Sequence, residues 1–206
     1  MSLKTGFRTL KKYKIPTAKH GFAKRVDEAA KLAKKIGYPV ALKADAPSIL
    51  HKTDKGVVSY NIEDEKELRR EWKKIKKAVG RKKLNGILVQ KNLDGIEIII
   101  GGKHDPQFGE TVLFGLGGIF VEVFQDVAMR VTPFTKREAQ DMVKEIKGYK
   151  ILAGVRGGKP VKISAIVDSI MKVQRMMEKE NIRELDINPL FADEKGVKAV
   201  DVRIIK

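Results

Sequence analysis

The chain has 206 residues, 42% of them hydrophobic, and a formal net charge of +17. It has no cysteine, which excludes disulfides, zinc–thiolate centres and cysteine nucleophiles. No apolar run approaches the ~20 residues that a membrane-spanning helix needs, and no signal peptide is visible, so we expect a soluble, cytoplasmic protein. The length allows one large domain or two small lobes.

The positive charge has two interpretations. A basic surface attracts phosphates, whether on nucleic acid, nucleotide, coenzyme A or membrane. The lysines, however, are scattered and mixed with glutamate, which is typical of the solvated surface of a hyperthermophile protein. Aromatic residues make up only 6% of the chain, which is few for a protein that stacks single-stranded bases. We favour the solvated surface and expect no nucleic-acid or membrane partner.

The N-terminal region begins with a predicted short basic helix over residues 3–13, which Pro16 ends because proline cannot continue the backbone hydrogen bonds. Residues 17–22 are expected to be extended. Asp27 is a candidate N-cap for a second helix, which Gly37 stops. The apolar side of that helix is formed by Ala29, Ala30, Leu32, Ala33 and Ile36.

A histidine, His51, lies on a short loop between two predicted strands, residues 40–44 and 57–62. Its neighbours include Lys52 and Gly56. Imidazole can accept a phosphoryl group, and nearby ammonium and backbone N–H groups can hold the charge of that group. This segment alone is equally consistent with a solvated histidine on a surface turn.

Asp64 is expected to cap the next helix, over residues 65–79. Its inward residues, at helical spacing, are Leu68, Trp72, Ile75 and Val79. The Trp72 side chain is interpreted as a core anchor rather than as a ligand contact.

The second half of the chain alternates strands and helices. Short segments rich in Ile and Val, separated by Gly, Asp and Pro, predict strands at residues 86–91, 96–101 and 110–114. Residues 101–106 look like a hairpin connection. Thr135 is a candidate cap for a helix over residues 136–146. The remaining predicted elements are a helix over residues 161–180 and closing strands at residues 182–187 and 198–205.

This order of elements indicates an α+β protein. We expect a small N-terminal lobe of residues 1–83 and a larger C-terminal lobe of residues 84–206. Because no Ser/Pro-rich linker separates them, the two lobes are expected to share a cleft.

Several polar clusters lie at or near the ends of predicted strands. Lys43 ends the strand ahead of His51 and is well placed to reach a nucleotide phosphate. The strand ending at Gln90 leads into a turn that could offer backbone groups to a purine, and Glu97 could take ribose hydroxyls or metal. Taken alone, the latter pattern favours an ordinary hairpin with a surface glutamate.

A glycine-rich stretch follows the strand at residues 110–114. Gly115, Gly117 and Gly118 would let the backbone approach a ligand closely. The stretch lacks the ending of the P-loop and the spacing of the dinucleotide fingerprint.

An acidic pattern closes the chain. Alternation places Glu184, Asp186 and Asn188 on one strand face, and Asp201 follows on the last strand. Such oxygen donors suit Mg²⁺, which uses one or two carboxylates together with nucleotide phosphates and water. The alternative is the wet side of an edge strand.

Taken together, these clusters resemble the ATP-grasp nucleotide-binding β subunits of ADP-forming acyl-CoA synthetases (acetate–CoA ligase, ADP-forming), relatives of succinyl-CoA synthetase. The resemblance runs from about residue 12 to residue 203. Its strongest stretches are Gly37–Lys43, Ile49–Asp54, Asp105–Gly109, Gly115–Glu122, Leu152–Gly157 and Glu184–Leu190.

The resemblance implies an α+β ATP-grasp fold of two lobes with a nucleotide cleft between them. It implies the reversible conversion of acyl-CoA, ADP and phosphate into acid, CoA and ATP, with ATP or ADP and Mg²⁺ bound by this chain. In this family a separate α subunit, or a fused domain, binds CoA and makes the acyl phosphate. We therefore expect a hetero-oligomer with a CoA-binding α subunit.

The resemblance also implies residue roles. His51 matches the second phosphohistidine of a phosphoryl relay, and Arg130 matches a basic residue facing the phosphoryl site. Lys43 matches the phosphate-binding lysine, and Glu97 the acidic nucleotide contact. The adenine hinge would comprise Gln90, Lys91, Asn92 and Leu93. Phosphate-loop positions would be Lys52, Gly56, Gly117 and Gly118, and the magnesium ligands would be Asn188 and Asp201.

One departure from the family pattern concerns the histidine loop, where two consecutive glycines are usual and this chain has Gly56 followed by Val57. Two alternatives to the synthetase remain: a carboxylate–amine ligase of the ATP-grasp type that uses no phosphohistidine, and a nucleic-acid-binding module that rests only on the net charge.

Overall fold

The computed structural model describes residues 1–46, 56–81, 83–118, 125–155 and 158–206. The chain divides into two compact units. The first, called the small-sheet unit, comprises Ser2–Thr5 and Ala18–Leu93, and the second, called the large-sheet unit, comprises Met1, Gly6–Thr17 and Asp94–Lys206. Each unit is built around one antiparallel sheet.

In its described residues, the small-sheet unit contains four strands and two helices. In chain order they are β1 (His20–Ala23), α2 (Val26–Ile36), β2 (Val40–Asp45), β3 (Val58–Ile62), α3 (Glu65–Val79) and β4 (Gly86–Lys91), after helix α1 (Leu3–Lys12), whose first residues belong here. The strand order is β1-β4-β2-β3. Helices α2 and α3 cover one face of this sheet, and their apolar residues form the core with Leu42, Ile87 and Val89.

The opposite face of the small sheet carries the residues that alternate with this core. Ala41 pairs with Gln90, and Lys43 pairs with Leu88. Since successive residues of a strand point to opposite faces, the Lys43 and Gln90 side chains share the face that α2 and α3 do not cover. The register thus places two polar side chains together.

Helix starts follow the expected capping chemistry in one case and depart from it in another. Helix α3 spans Glu65–Val79 as predicted, and the Asp64 carboxylate accepts a hydrogen bond of 2.7 Å from the Glu67 backbone N–H. The prediction of Asp27 as the cap of α2 is wrong, because the helix begins at Val26. Glu28 instead reaches back to accept from the Lys24 and Arg25 backbone N–H groups.

The large-sheet unit contains the remaining elements. They are β5 (Ile96–Asp105), β6 (Gly109–Leu116), β7 (Val127–Val131), α4 (Lys136–Glu145), α5 (Tyr149–Leu152), α6 (Ile163–Lys179), β8 (Glu184–Ala192), β9 (Val197–Ala199) and β10 (Arg203–Ile205). The sheet order is β10-β8-β5-β6-β7, with β9 paired to β8. Helices α4 and α6 pack on one face of the sheet.

The β5–β6 hairpin is longer than predicted. The expected connection at residues 101–106 is wrong, because β5 continues to Asp105 and the turn lies after it. Gly102 is in the strand for a packing reason: a Cβ there would lie 2.6 Å from the Met177 sulfur of α6. At the turn, the Asp105 carboxylate accepts from the backbone N–H groups of Gln107 and Phe108 at 2.8 and 3.1 Å.

Three other features of this unit differ from the expectation. Strand β7 and the short helix α5 were not predicted from the sequence. The single strand expected at residues 198–205 is two strands, β9 and β10, separated where the Val200 N–H bonds the Pro189 carbonyl at 3.1 Å. Helices α4 and α6 confirm the two predicted C-terminal helices within a few residues, with Thr135 capping α4.

The compact units divide the chain later than the expected boundary between residues 83 and 84. Strand β4 lies in the small-sheet unit because it pairs with β1 and β2. Most of α1 groups with the large-sheet unit, where Lys12 forms an ion pair with Glu180. Within the described residues, no helix is both long and apolar enough to cross a bilayer.

Candidate functional site

Lys43 is a buried cation on the face of the small sheet that α2 and α3 do not cover. Its residue is only 3% exposed. The ammonium nitrogen lies 5.8 Å from the centre of the Tyr60 ring, which is on the adjacent strand β3. A ring face attracts a cation, so the contact fixes the direction of the lysine stem. An ammonium held in this way can donate to a phosphate oxygen.

Gln90 is the second polar residue of this face, and it is 1% exposed. Its side-chain Nε2 has no hydrogen-bond partner among the described residues. Buried amide groups are nearly always hydrogen-bonded, so an unsatisfied one calls for an explanation such as a ligand. The amide can both donate and accept, which are the two functions that a purine edge requires.

The other predicted hinge residues have structural contacts. The Lys91 ammonium donates to the carbonyls of Gly37 and Tyr38 at 3.0 and 2.7 Å. The Asn92 side chain bonds that of Asn61, and its backbone N–H donates to the Pro39 carbonyl at 3.1 Å. These side chains therefore hold the strand end in place.

Leu93 completes the predicted hinge. It is half-buried and is the last residue of the small-sheet unit.

Glu97 and the glycine pair lie side by side in the large-sheet unit. The Gly117 backbone N–H donates to the Glu97 carbonyl at 2.7 Å. A Cβ at Gly117 would lie 3.0 Å from the Glu97 Cβ, and Gly118 has a φ of +60°. Close approach and backbone conformation together explain the two glycines. The glycines therefore allow the strand that carries Glu97 to approach the backbone at Gly117 closely. The sequence had predicted a close approach by a ligand instead.

Arg130 is placed on β7, and its guanidinium is already engaged. One terminal nitrogen forms an ion pair with the Glu145 carboxylate of α4, and the other donates to the Met129 carbonyl at 2.8 Å. The residue shares the helix-covered side of the sheet with Ala128. In this structure Arg130 thus braces α4 against β7, and its phosphoryl-site role stays a prediction.

Asn188, in the middle of β8, and Asp201, between β9 and β10, are linked through a backbone hydrogen bond between their neighbours. The Val200 N–H bonds the Pro189 carbonyl, and both candidate ligands adjoin these two residues. Among the described residues, no three His, Cys, Asp or Glu side chains form a metal-binding group.

The electrostatics at this position also fit a cation. Desolvation raises the pKa of the Asp186 carboxyl, and the nearby Asp201 carboxylate raises it further, whereas Arg203 lowers it. Two carboxylates that repel each other in this way would be stabilised by a divalent ion. Asp186 therefore belongs to the candidate site, and alternation along β8 was the signal for it.

His51 and Lys52 lie outside the described residues. Gly56, which follows them, is exposed with a φ of +63°. The next residue, Val57, is fully buried in the core, and its carbonyl accepts from the Ala44 N–H at 3.0 Å. Packing thus explains a valine where the resembling family has glycine.

Sequence reasoning missed Tyr60 and Phe108. Tyr60 could have been found from the predicted pairing of its strand with that of Lys43. Phe108 is 64% exposed, and the signal was an aromatic residue in a turn that begins with Asp-Pro.

The fold and these sites define a nucleotide-binding class of protein. Residues 3–205 match the ATP-grasp domain family. Because the match covers nearly the whole chain, the chain belongs to the ATP-grasp family, and the predicted fold class is confirmed.

Within this family the chain is similar to the β subunits of ADP-forming acetate–CoA ligases. It is 45% identical over 207 residues to the ligase II β subunit of Pyrococcus furiosus, covering 96% of this chain and 88% of the relative. It is 42% identical to the ADP-forming acetate–CoA ligase I of Archaeoglobus fulgidus, covering 97% of this chain but only 30% of that longer protein.

Two solved structures of the dinucleotide-forming acetyl-coenzyme A synthetase 1 of Ca. Korarchaeum cryptofilum are also similar. One, in complex with coenzyme A and Ca-AMPCP, gives a TM-score of 0.96 at 42% identity and covers 100% of this chain and 92% of that chain. The other, with coenzyme A and Mg-AMPPCP and with its phosphohistidine segment pointing towards the nucleotide-binding site, gives 0.86 at 41% identity, covering 99% and 92%.

Proposed function

We propose that this chain is the nucleotide-binding β subunit of an ADP-forming acyl-CoA synthetase. It would bind ATP or ADP with Mg²⁺ and move a phosphoryl group between a histidine and the nucleotide. The observation that carries the proposal is the pair of buried polar side chains, Lys43 and Gln90, on one face of the small sheet. The β-subunit relatives at 45% identity support it.

Lys43 and Gln90 would contact different parts of the nucleotide. The Lys43 ammonium would hold the phosphates, because a charge-assisted hydrogen bond in a buried place is strong. The Gln90 amide would read the base, and the turn formed by Lys91, Asn92 and Leu93 would offer backbone groups beside it. Glu97 would accept hydrogen bonds from the ribose hydroxyls.

Asn188 and Asp201 would hold the magnesium ion, with Asp186 beside them. When bound, Mg²⁺ would neutralise the negative charge of the phosphates. Its oxygen-rich surroundings on β8 and before β10 fit this role.

His51 would carry the phosphoryl group. In the direction of nucleotide consumption, a neutral ring nitrogen attacks the terminal phosphorus of ATP, a P–N bond forms, and the P–O bond to ADP breaks. The acceptor must be a neutral ring nitrogen, because only a free lone pair can attack phosphorus. Alignment and charge neutralisation are the main demands of this transfer.

A CoA-binding α subunit would complete the enzyme in a hetero-oligomer. The P. furiosus relative is itself a β subunit, and the A. fulgidus relative is a single chain more than three times the matched length. The acyl-CoA half of the reaction would thus take place outside this chain. The location of this chain in the cytoplasm stays a prediction.

The test is phosphoryl transfer from radiolabelled ATP in the presence of Mg²⁺. The wild-type chain should acquire acid-labile label, and His51→Ala should acquire none. His104→Ala is the matched control: His104 is an exposed histidine of the large-sheet unit, bonded to Glu110 at 2.8 Å, and its loss should leave the label unchanged. An unlabelled wild type, or equal label on His51→Ala, would refute the relay.

A further inference from the structure

The second face of the large sheet carries a groove whose lining residues, apart from Asp186, have no role in the proposed chemistry. Its volume is about 660 Å³, and it lies on the side of the sheet opposite α4 and α6. Three of its lining residues are Phe108, Met129 and Val131, which are 64%, 53% and 46% exposed. Among the described residues only six large hydrophobic side chains are this exposed, so half of them gather in one place.

Phe108 is presented by a rigid turn. The Asp105 carboxylate accepts from the backbone N–H groups of Gln107 and Phe108. These two bonds lower the pKa of Asp105, so the turn is held by a charged acceptor at neutral pH. The aromatic ring projects from it with most of its surface in solvent. Fixed and exposed aromatic side chains are the usual anchors of protein–protein interfaces.

The charges around the groove differ from those of the chain as a whole. Its charged lining residues are Lys103, Asp105, Glu184, Asp186 and Arg203, three acidic and two basic. The whole chain has a net charge of +17. An apolar floor with a slightly acidic rim on a basic protein suits a partner segment that is apolar and basic.

A second copy of this chain fits the groove poorly. Two-fold contact would place the same acidic rim against itself, and it would bring two strongly basic chains together. A different partner is therefore favoured over self-association.

The groove also continues towards the proposed magnesium position. Asp186 lines the groove, and it lies on the same face of β8 as Asn188, two residues further along. A partner seated here would be next to the place where the nucleotide phosphates are proposed to bind. A partner subunit that exchanges phosphoryl groups with this chain must come to that place.

We propose that this groove, anchored by Phe108 and Met129, is the docking surface for the CoA-binding α subunit. The proposal rests on the proposed function of the chain as a β subunit. The turn at Asp105–Gly109 has no role in the proposed nucleotide binding. Docking of the α subunit would give this turn a role.

The test measures binding of the α subunit of P. furiosus ADP-forming acetate–CoA ligase II, whose β subunit is 45% identical to this chain. The wild type should bind it. The Phe108→Ala/Met129→Ala double variant should bind about tenfold or more weakly, because exposed aromatic anchors dominate interface energies. Val155→Ala is the matched control: it shortens another apolar side chain, 48% exposed, in the same unit, and should change affinity by less than about twofold.

Nucleotide binding separates this proposal from the proposed function. MgADP affinity is measured for every variant and should not change, which also shows that each variant is folded. Unchanged α-subunit affinity in the double variant overturns the docking surface, and so does a wild type that binds no α subunit. Self-association that the double variant abolishes would assign the groove to a second copy and contradict the proposal. If MgADP still binds and His51 is labelled in any of these cases, the proposed function stands.

Discussion

At the scale of single residues, the site is recognised by two buried polar side chains, of which Gln90 has an amide nitrogen with no partner among the described residues. Gln90 illustrates the argument, because a buried amide nitrogen without a partner is costly to the folded chain. A protein retains such a group when a ligand completes it. Lys43 on the same face has its stem fixed by Tyr60, so the two residues form a preorganised pair.

Gln90→Leu tests this interpretation. Replacing the amide with an apolar group of similar size should weaken MgADP binding by about five- to tenfold, the value of one or two hydrogen bonds. The melting temperature of the unliganded chain should not fall, because no hydrogen bond within the described protein is lost. Calorimetric titration and thermal unfolding provide the two readouts. Unchanged affinity would remove Gln90 from the base site.

Asp186 gives a prediction about pH. Its folded-state pKa is raised above the ordinary value of 3.8. The folded state therefore binds its proton more tightly than the unfolded state does, and the ionised carboxylate costs stability as pH rises from 3.8 through the folded pKa. Asp186→Asn should raise the melting temperature at neutral pH without metal, and the gain should disappear below the unfolded pKa. A gain that persists at low pH would show another cause.

At the scale of elements, periodicity and capping predicted the helices well. Helix α3 has a four-residue apolar stripe and an aspartate cap, and both determine its ends locally. The strands were harder to predict because their limits depend on neighbours. Gly101 and Gly102 indicated a turn, but both lie within β5, and Gly102 is a glycine because α6 packs on the strand there. Strand β7 was not predicted, because its pattern of burial is unusual. The apolar Met129 and Val131 are exposed, and the charged Arg130 between them faces the helices.

The candidate site, like the fold, could be predicted only where local sequence determines it. The candidate residues came from their order along the chain and from the family resemblance. The unsatisfied amide of Gln90, the ion pair of Arg130 and the burial of Val57 depend on contacts between distant residues. Periodicity carries no information on such contacts, so only the folded structure could provide them.

The end of α6 carries an element-scale prediction. Glu180 bonds Lys12 of α1, Tyr13 and the C-terminal Lys206. The hydrogen bond from Lys12 is the largest cause that lowers the pKa of Glu180 to about 2, and that from Lys206 is the second. Since this pKa lies below the ordinary 4.5, the stability from Glu180 is complete above pH 4.5 and is lost as pH falls through about 2.

Glu180→Gln should therefore lower the melting temperature at neutral pH, and the difference from wild type should narrow as the solution is acidified below pH 4.5. Salt should reduce the difference, because the partners are partly exposed. Glu178→Gln, on the same helix at an exposed position, is the charge-matched control and should have little effect. Equal effects of the two substitutions would show that net charge, not the contact, is responsible.

At the scale of the whole molecule, the proposed roles are distributed over both units. The small-sheet unit provides Lys43 and Gln90, and the large-sheet unit provides Glu97, Asn188 and Asp201. The groove of the large-sheet unit would offer the proposed partner a place beside the proposed metal ligands. The net charge of +17 would then speed the encounter with polyphosphates rather than indicate nucleic-acid binding.

Reverse transfer tests the central claim most directly. Chain phosphorylated by MgATP is freed of nucleotide, mixed with MgADP, and assayed for newly formed ATP. The account predicts ATP formation by the wild type, none by His51→Ala, and slow formation by Lys43→Met because the phosphates of ADP lose their cation. Release of the phosphoryl group only as inorganic phosphate, or ATP formation by His51→Ala equal to that of the wild type, would contradict it.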